Sequence, residues 1–365
     1  MVSQEEQLNA DPVHLNQLLH DRYHVLQKLG SGRYSTVWLV KDRKEATYKA
    51  VKILEQDCYD GKHDLFELEI LRHLRKANPN HPGYQHISVL LDDFVYVGKL
   101  GRHVCLVMEP MAEDMKGFSF FFDGAKIPNH IMKRVTKQLL SALEYAHSSE
   151  IIHTDIKQDN IMVKIRDFSI IDQYLEDSLC NPNVNLGEYN FNNTSELSQI
   201  SIALCDWGSA SWVKKHLTEM IQPKLLRAPE VILQAPWGKE VDIWNLGALL
   251  PELLDAVQMF SGKTDATGGI YHTKHHIEEI DALFGPFPVD LLNDGNPKIV
   301  QQFFDEHFQI QDPAQRPPAR LETWIQCLDG AEKENFLSLL QSMMMIDPKQ
   351  RETAQSLQGA LWLTG

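Results

Sequence analysis

Cysteine is sparse: Cys58, Cys105, Cys180, Cys205 and Cys327 are odd in number, widely scattered and form no CxxC pair. That spacing carries no disulfide framework, and the expectation is a reducing intracellular compartment, cytoplasm or nucleus. Positive charge is short as well, with 35 Lys and Arg against 50 Asp and Glu and a formal net charge of -15. Nucleic-acid binding rests on clustered cations that neutralise phosphates, so no direct nucleic-acid contact is expected, whereas a basic partner would be attracted. No uncharged apolar run approaches the roughly 18 to 20 residues that cross a bilayer, so no membrane span is expected. Residues 1–10 carry Glu5 and Glu6 and no basic patch leading into an apolar run, unlike a secretory or transit peptide. Without such a leader, Asn192-Asn193-Thr194 reads as a chance match to a glycosylation site in a polar loop. Internal repeats and low-complexity tracts are also missing. What is present is an ordinary 43% of hydrophobic residues in a chain of 365, enough for two domains or one large bilobal unit.

The first part of the chain has strand periodicity. Tyr23 to Leu29, Thr36 to Val40 and Tyr48 to Ile53 read as an antiparallel meander with a Gly-containing turn, and two more strands are expected over 89–97 and 103–108. Between them, Leu65, Leu68, Leu71 and Leu74 recur every three residues and predict a helix over 64–75. Beyond Glu109 the helical pattern dominates, over 131–148, 241–254, 273–284 and 333–345. A small β-rich unit thus precedes a larger helical one. Residues 166–198 are polar and Asn-rich, and read as an insertion or loop.

Chemistry concentrates in a few short segments. Gly30-Ser31-Gly32-Arg33-Tyr34-Ser35-Thr36-Val37 is a glycine ribbon that runs into a strand, which disfavours a dinucleotide fold and suits backbone N–H groups lying over phosphates. Lys52 follows on a strand, at a position where alternation would put another core-facing residue, and the next helix offers Glu67 and Glu69 as carboxylates to hold its ammonium toward phosphates. In His153-Thr154-Asp155-Ile156-Lys157-Gln158-Asp159-Asn160, Asp155 can accept a hydroxyl proton, Asn160 can bind Mg2+ and Lys157 can reach a moving phosphoryl group. Asp206-Trp207-Gly208 supplies a further hard oxygen ligand, and Cys205 before it is expected along the inner wall of the same pocket. Glu230 and Arg351 would be tolerated inside a fold only as a pair.

These segments, in this order, resemble a protein kinase, and within that family the serine/arginine-rich-protein-specific kinases. The likeness is densest at residues 22–30, 34–39, 90–94, 103–107 and 151–157, with Thr154 in the usual Arg position especially telling. The resemblance implies an α+β bilobal fold: an N-terminal extension at 1–20, an N-lobe at 21–109 with one key helix, and a mainly helical C-lobe at 110–365 carrying the 166–198 insert. It implies a serine/threonine kinase using ATP and Mg2+. Asp155, Lys157, Lys52 and Glu69 would be catalytic, the last chosen over Glu67 on the family register. Gly30, Ser31, Gly32, Val37, Ala50, Lys52, Glu109 and Met111 would line the nucleotide, with Asn160 and Asp206 on the metal. The expected partner is a basic Arg/Ser-rich protein substrate, met by a monomer. Departures are Gln158-Asp159 for the family's Pro-Glu, Ser35 for a Gly, Trp207 for Leu, an Arg227-Ala-Pro-Glu230 closer to general kinases, and a far shorter insert. A pseudokinase scaffold would normally have lost Lys52, Asp155 or Asp206, and a small-molecule phosphotransferase would lack the Glu230, Asp242 and Arg351 framework.

Overall fold

Alternating side chains along residues 23–54 fold as an antiparallel meander in the computed structural model, which describes residues 12–60, 65–98, 101–181, 184–191, 194–263, 269–314 and 320–365. Strands β1 (Leu18–Leu19), β2 (Tyr23–Ser31), β3 (Ser35–Asp42), β4 (Thr47–Leu54), β5 (Asp92–Gly98) and β6 (Gly101–Met108) form one sheet in the order β1-β2-β3-β4-β6-β5. Successive residues on a strand face opposite sides. Val51 and Ile53 therefore join Tyr23, Trp38, Val40 and Val107 in an outer core, where Val13 and Leu19, ahead of β2, also sit. Ala50, Lys52 and Leu54 face the other way, toward helix α1 (Glu67–Ala77) and the interior shared with the rest of the chain.

The larger part is built on helices, as the periodicity requires. After β7 (Met111–Asp114) come α2 (Asn129–Ser148), β8 (Ile151–Ile152), β9 (Ile161–Lys164), α3 (Ile170–Cys180), β10 (Ile202–Leu204), β11 (Ser211–Trp212), α4 (Glu240–Asp255), α5 (Thr273–Phe284) and α6 (Gly330–Met343). Two small sheets, β10-β9-β7 and β11-β8, hold the loops of the cleft. Helix α4 is buried at every position from Val241 to Pro251, so it is the axle of this lobe rather than a surface helix. Arg351 anchors it: its guanidinium makes contacts of 2.7 and 3.1 Å to the Glu230 carboxylate and donates to the Glu240 carbonyl at 2.8 Å. Both charged side chains are fully buried, and their pairing and hydrogen bonds are what make such burial tolerable.

The insert departs from expectation. Instead of a polar loop, residues 166–198 contain α3, whose Ile171 and Tyr174 pack with Leu186 against Leu39 and Tyr48 of the sheet. The Ile170, Ile171, Tyr174 and Leu175 spacing is an apolar stripe of helical period, obscured by the Asn-rich segments after it. Gln27 donates to the Tyr174 hydroxyl at 2.9 Å and accepts from Ser178 at 3.0 Å, and Tyr48 hydrogen-bonds Asp172. One segment of the helical lobe is thus seated on the β-rich lobe. Asn192 and Asn193 of the glycosylation-like triplet lie outside the described residues.

Candidate active site

The cleft is assembled from three directions. From the sheet, β4 presents Lys52, whose Nζ lies 2.6 Å from Glu67 Oε1 and 2.7 Å from Asp206 Oδ1. The expectation of Glu69 as the partner is corrected here: Glu67 makes the ion pair and Glu69 is exposed. Helix α1 buries Glu67, Ile70, Leu71 and Leu74, the i, i+3, i+4, i+7 face, and two residues further on is about 200° round the axis. Burial opposes the Lys52 charge, but Glu67 and Asp206 outweigh it and hold the lysine protonated well above its ordinary range. Burial also works against the Asp206 carboxylate, and the Lys52 ammonium overcomes it, lowering the Asp206 pKa. The second Glu67 oxygen is buried without a hydrogen-bond partner among the described residues, and a Cβ added at Gly208 would reach it at 3.4 Å, an ordinary van der Waals contact.

The second direction is the loop between β8 and β9. Asp242 of α4 accepts from the backbone N–H of His153 and of Thr154, both at 2.8 Å, and contacts His147 Nε2 at 2.9 Å. These bonds stabilise Thr154 at a φ of 68°, a strained value for a β-branched residue, and the Thr154 hydroxyl donates to the Ser209 carbonyl at 2.8 Å. The next side chain, Asp155, is aimed by two donors: Lys157 Nζ at 2.7 Å and Asn160 Nδ2 at 2.9 Å, both on Oδ2. Asn160 also donates to the Asp155 carbonyl at 2.8 Å, which leaves its own Oδ1 without a hydrogen bond among the described residues.

The third is the turn after β10. Asp206 sits at a φ of 60°, and Trp207 is buried behind it, edge-on to His153 with ring centres 4.7 Å apart and its indole N–H on Ser88 at 3.2 Å. A tryptophan in this turn is thereby satisfied as both a packing and a polar group. His153 Nε2 contacts the Cys205 carbonyl at 2.9 Å, and Cys205 N–H donates to the Asn160 carbonyl at 2.8 Å, so the two loops are stitched together. Burial pushes the Cys205 thiol up to about 12, which leaves little thiolate for attack on an electrophile.

The remaining expected residues rim this cleft. Gly30 pairs with Val37 across the β2–β3 ribbon, Ser31 with Thr36, and Gly32 N–H closes the turn on the Ser35 carbonyl at 2.8 Å. A Cβ at Gly30 would meet nothing within 4 Å, so space is open beside the ribbon. Ala50 pairs with Met108, followed by exposed Glu109, whose carboxylate lies 3.6 Å from Lys164, and by Met111 at the start of β7. Glu113, just beyond, reads in sequence as a solvated surface charge, and the structure corrects that. It is buried under Gly187 of the insert, and one carboxylate oxygen has no hydrogen-bond partner among the described residues.

The donor set suits a nucleotide with its metal. A glycine ribbon and a buried, charged lysine meet polyphosphate. The half-exposed Asp206 carboxylate and the uncommitted Asn160 oxygen are hard ligands of the kind Mg2+ takes alongside phosphate and water.

The sequence matches a family model described as the protein kinase domain over residues 23–363. The chain belongs to the protein kinase family. A serine/threonine protein kinase of Aspergillus fumigatus is 31% identical over 357 residues, 96% of this chain and 87% of that protein. The serine/threonine-protein kinase SRPK of Physarum polycephalum is 26% identical over 326 residues, covering 82% of this chain and 75% of that protein. Human dual specificity protein kinase CLK4 is 25% identical over 343 residues, 92% of this chain and 65% of that protein. The kinase is therefore of the serine/threonine type, uses ATP with a divalent metal, and acts on proteins. Among its described residues no helix is long and apolar enough to cross a membrane.

Proposed function

We propose that this kinase transfers the γ-phosphoryl group of Mg2+-bound ATP to serine or threonine in Arg/Ser-rich protein segments, acting as an intracellular monomer. Asp155 is the base that takes the proton of the attacking hydroxyl, and the two donors on its Oδ2 leave the other oxygen for that task. Lys157, within reach of the same place, offsets charge on the group in transit. Lys52, fixed by Glu67, would pair with the α- and β-phosphates, and Asn160 with Asp206 would hold the Mg2+, whose chemistry is to offset phosphate charge.

The substrate preference is carried by one observation. Glu252 of α4, half-buried, has its pKa raised first by burial and further by the neighbouring charge of Asp159, while a hydrogen bond from Gln158 works the other way. Glu252 thus senses the charge of Asp159 on the catalytic loop, with Lys116 already near it, and an arriving guanidinium would add a further cation to that acidic pair. The likeness to the kinase SRPK of Physarum polycephalum and the net charge of -15 point the same way.

Radiolabelled ATP with an Arg-Ser repeat peptide tests this. Replacing the peptide's Arg by Ala should cost wild-type enzyme at least about tenfold in kcat/KM, since a charge-assisted contact is worth ~1.5–3 kcal/mol. The same replacement should cost the Asp159→Asn, Glu252→Gln enzyme far less. An array in which Arg neighbours make no difference, or in which Pro after the Ser dominates, sinks the preference.

A further inference from the structure

A concentration of positive charge lies away from the cleft, where the first half of α2 meets the turn Pro82–His86 and the lead-in to β10. A cavity of about 670 Å3 opens there, lined by His86, His130, Lys133, Arg134 and Lys137 and by no Asp or Glu side chain among the described residues. Positions 130, 133, 134 and 137 fall on one face of the helix, so the sequence itself stacks these cations together. Like charges three and four apart disfavour a helix. In a chain of net charge -15 their convergence on one concavity runs against the average field.

The cluster is held in place. Arg134 Nε donates to the Ile200 carbonyl at 2.7 Å, which fixes the guanidinium and leaves its two terminal nitrogens uncommitted among the described residues. Gln138 braces the same strand lead-in, donating to Ile200 O at 3.1 Å and accepting from Ile202 N–H at 2.8 Å. Lys133 is paired with Glu332 at 2.9 Å, but among the described residues no carboxylate is paired with His130, Arg134 or Lys137. Burial lowers the His86 pKa, and the positive charges of Lys164 and Arg134 lower it further, so His86 feels the cations beside it.

We propose that this cavity binds a phosphoserine- or phosphothreonine-bearing segment of a protein, the class of product the kinase itself makes. A fixed guanidinium with two free nitrogens matches phosphate oxygens in a way that a point charge does not, and the flanking ammonium of Lys137 adds to it. The volume exceeds what one phosphate needs and leaves room for the peptide around it. A substrate modified once and retained here presents its remaining hydroxyls to the cleft at raised local concentration, favouring further rounds on the same molecule.

The test is fluorescence anisotropy with a peptide carrying two phosphoserines among neutral residues, so that the result does not depend on the Arg-directed preference. Its unphosphorylated and Glu-substituted versions are run beside it. A non-hydrolysable ATP analogue and excess unphosphorylated substrate occupy the cleft throughout. The phosphopeptide should bind at least about tenfold tighter than either control and weaken with salt. Arg134→Glu with Lys137→Glu should abolish that advantage while sparing turnover of a short unphosphorylated peptide. Because Arg134 also braces Ile200, the His130→Glu, Lys137→Glu protein, altered only at exposed positions, is measured as well. Equal affinity in wild type and both variants overturns the proposal. So does displacement of the phosphopeptide by the cleft substrate, or equal binding of the Glu peptide.

Discussion

Lys52 is gripped from two sides, and the grips differ in what they demand. Asp206 is half-exposed at the mouth of the cleft, whereas Glu67 is buried on the helix and among the described residues is ion-paired with Lys52 alone. Glu67→Gln keeps the shape but removes the charge, and kcat/KM is expected to fall about 100-fold, the scale for losing one preorganised electrostatic group. Glu69→Gln, on the exposed face, should stay within about twofold. Steady-state kinetics on the two proteins decides, and the reverse order would return the role to Glu69. A second carboxylate has a pH signature. Burial, with Asp114 and Glu188 nearby, lifts Glu113 from an ordinary 4.5 to about 7. Between those values the folded protein keeps a proton that the unfolded chain has released, so stability falls as pH rises through this window and the full penalty stands above it. At ~1.4 kcal/mol per unit this amounts to about 3 kcal/mol. Urea melts at pH 5 and pH 8 should show Glu113→Gln gaining on wild type at the higher pH. A gain that is the same at both would remove Glu113 as the cause. Neither the Glu67 partnership nor the Glu113 burial was fully legible in sequence: the first turned on helix phase, and the second depends on a glycine 74 positions away pressing against it.

At the scale of elements, what could be read was what local periodicity encodes. The meander, the catalytic loop and the buried central helix each announce themselves by spacing, and the structure has them where the pattern puts them. Helix α1 was legible as a helix but not in phase. Leucines every three residues suggest a face through Leu65, Leu68, Leu71 and Leu74, while the 3.6-residue period drifts off that line onto Glu67, Ile70, Leu71 and Leu74. A buried acid on the apolar face was the available signal. Helix α3 went unread because its stripe is short and its neighbours are polar, and because its stability comes from Leu39 and Tyr48, far away in sequence. The segment after Asp206 is held by bonds of its own: β11 pairs with β8, Thr154 holds the Ser209 carbonyl, and Gln222 bridges to the Val241 carbonyl at 2.8 Å.

For the molecule as a whole, the seating of α3 on the sheet has a consequence for how the protein comes apart. Two lobes joined only by a strand crossing would melt as separate units, each with its own core. Here Tyr174 and Ile171 belong to a cluster that includes Leu39 and Tyr48, so neither lobe can lose its packing without exposing part of the other's. Unfolding should therefore be a single cooperative event. Scanning calorimetry is expected to give one transition whose van't Hoff and calorimetric enthalpies agree, and two resolved transitions in the wild-type protein would contradict this. Tyr174→Ala, which removes an aromatic ring worth about 3 kcal/mol from the shared cluster, should split or broaden that peak. The insert thus makes the two lobes share one melting temperature, and damage on either side of the cleft is felt as instability of both.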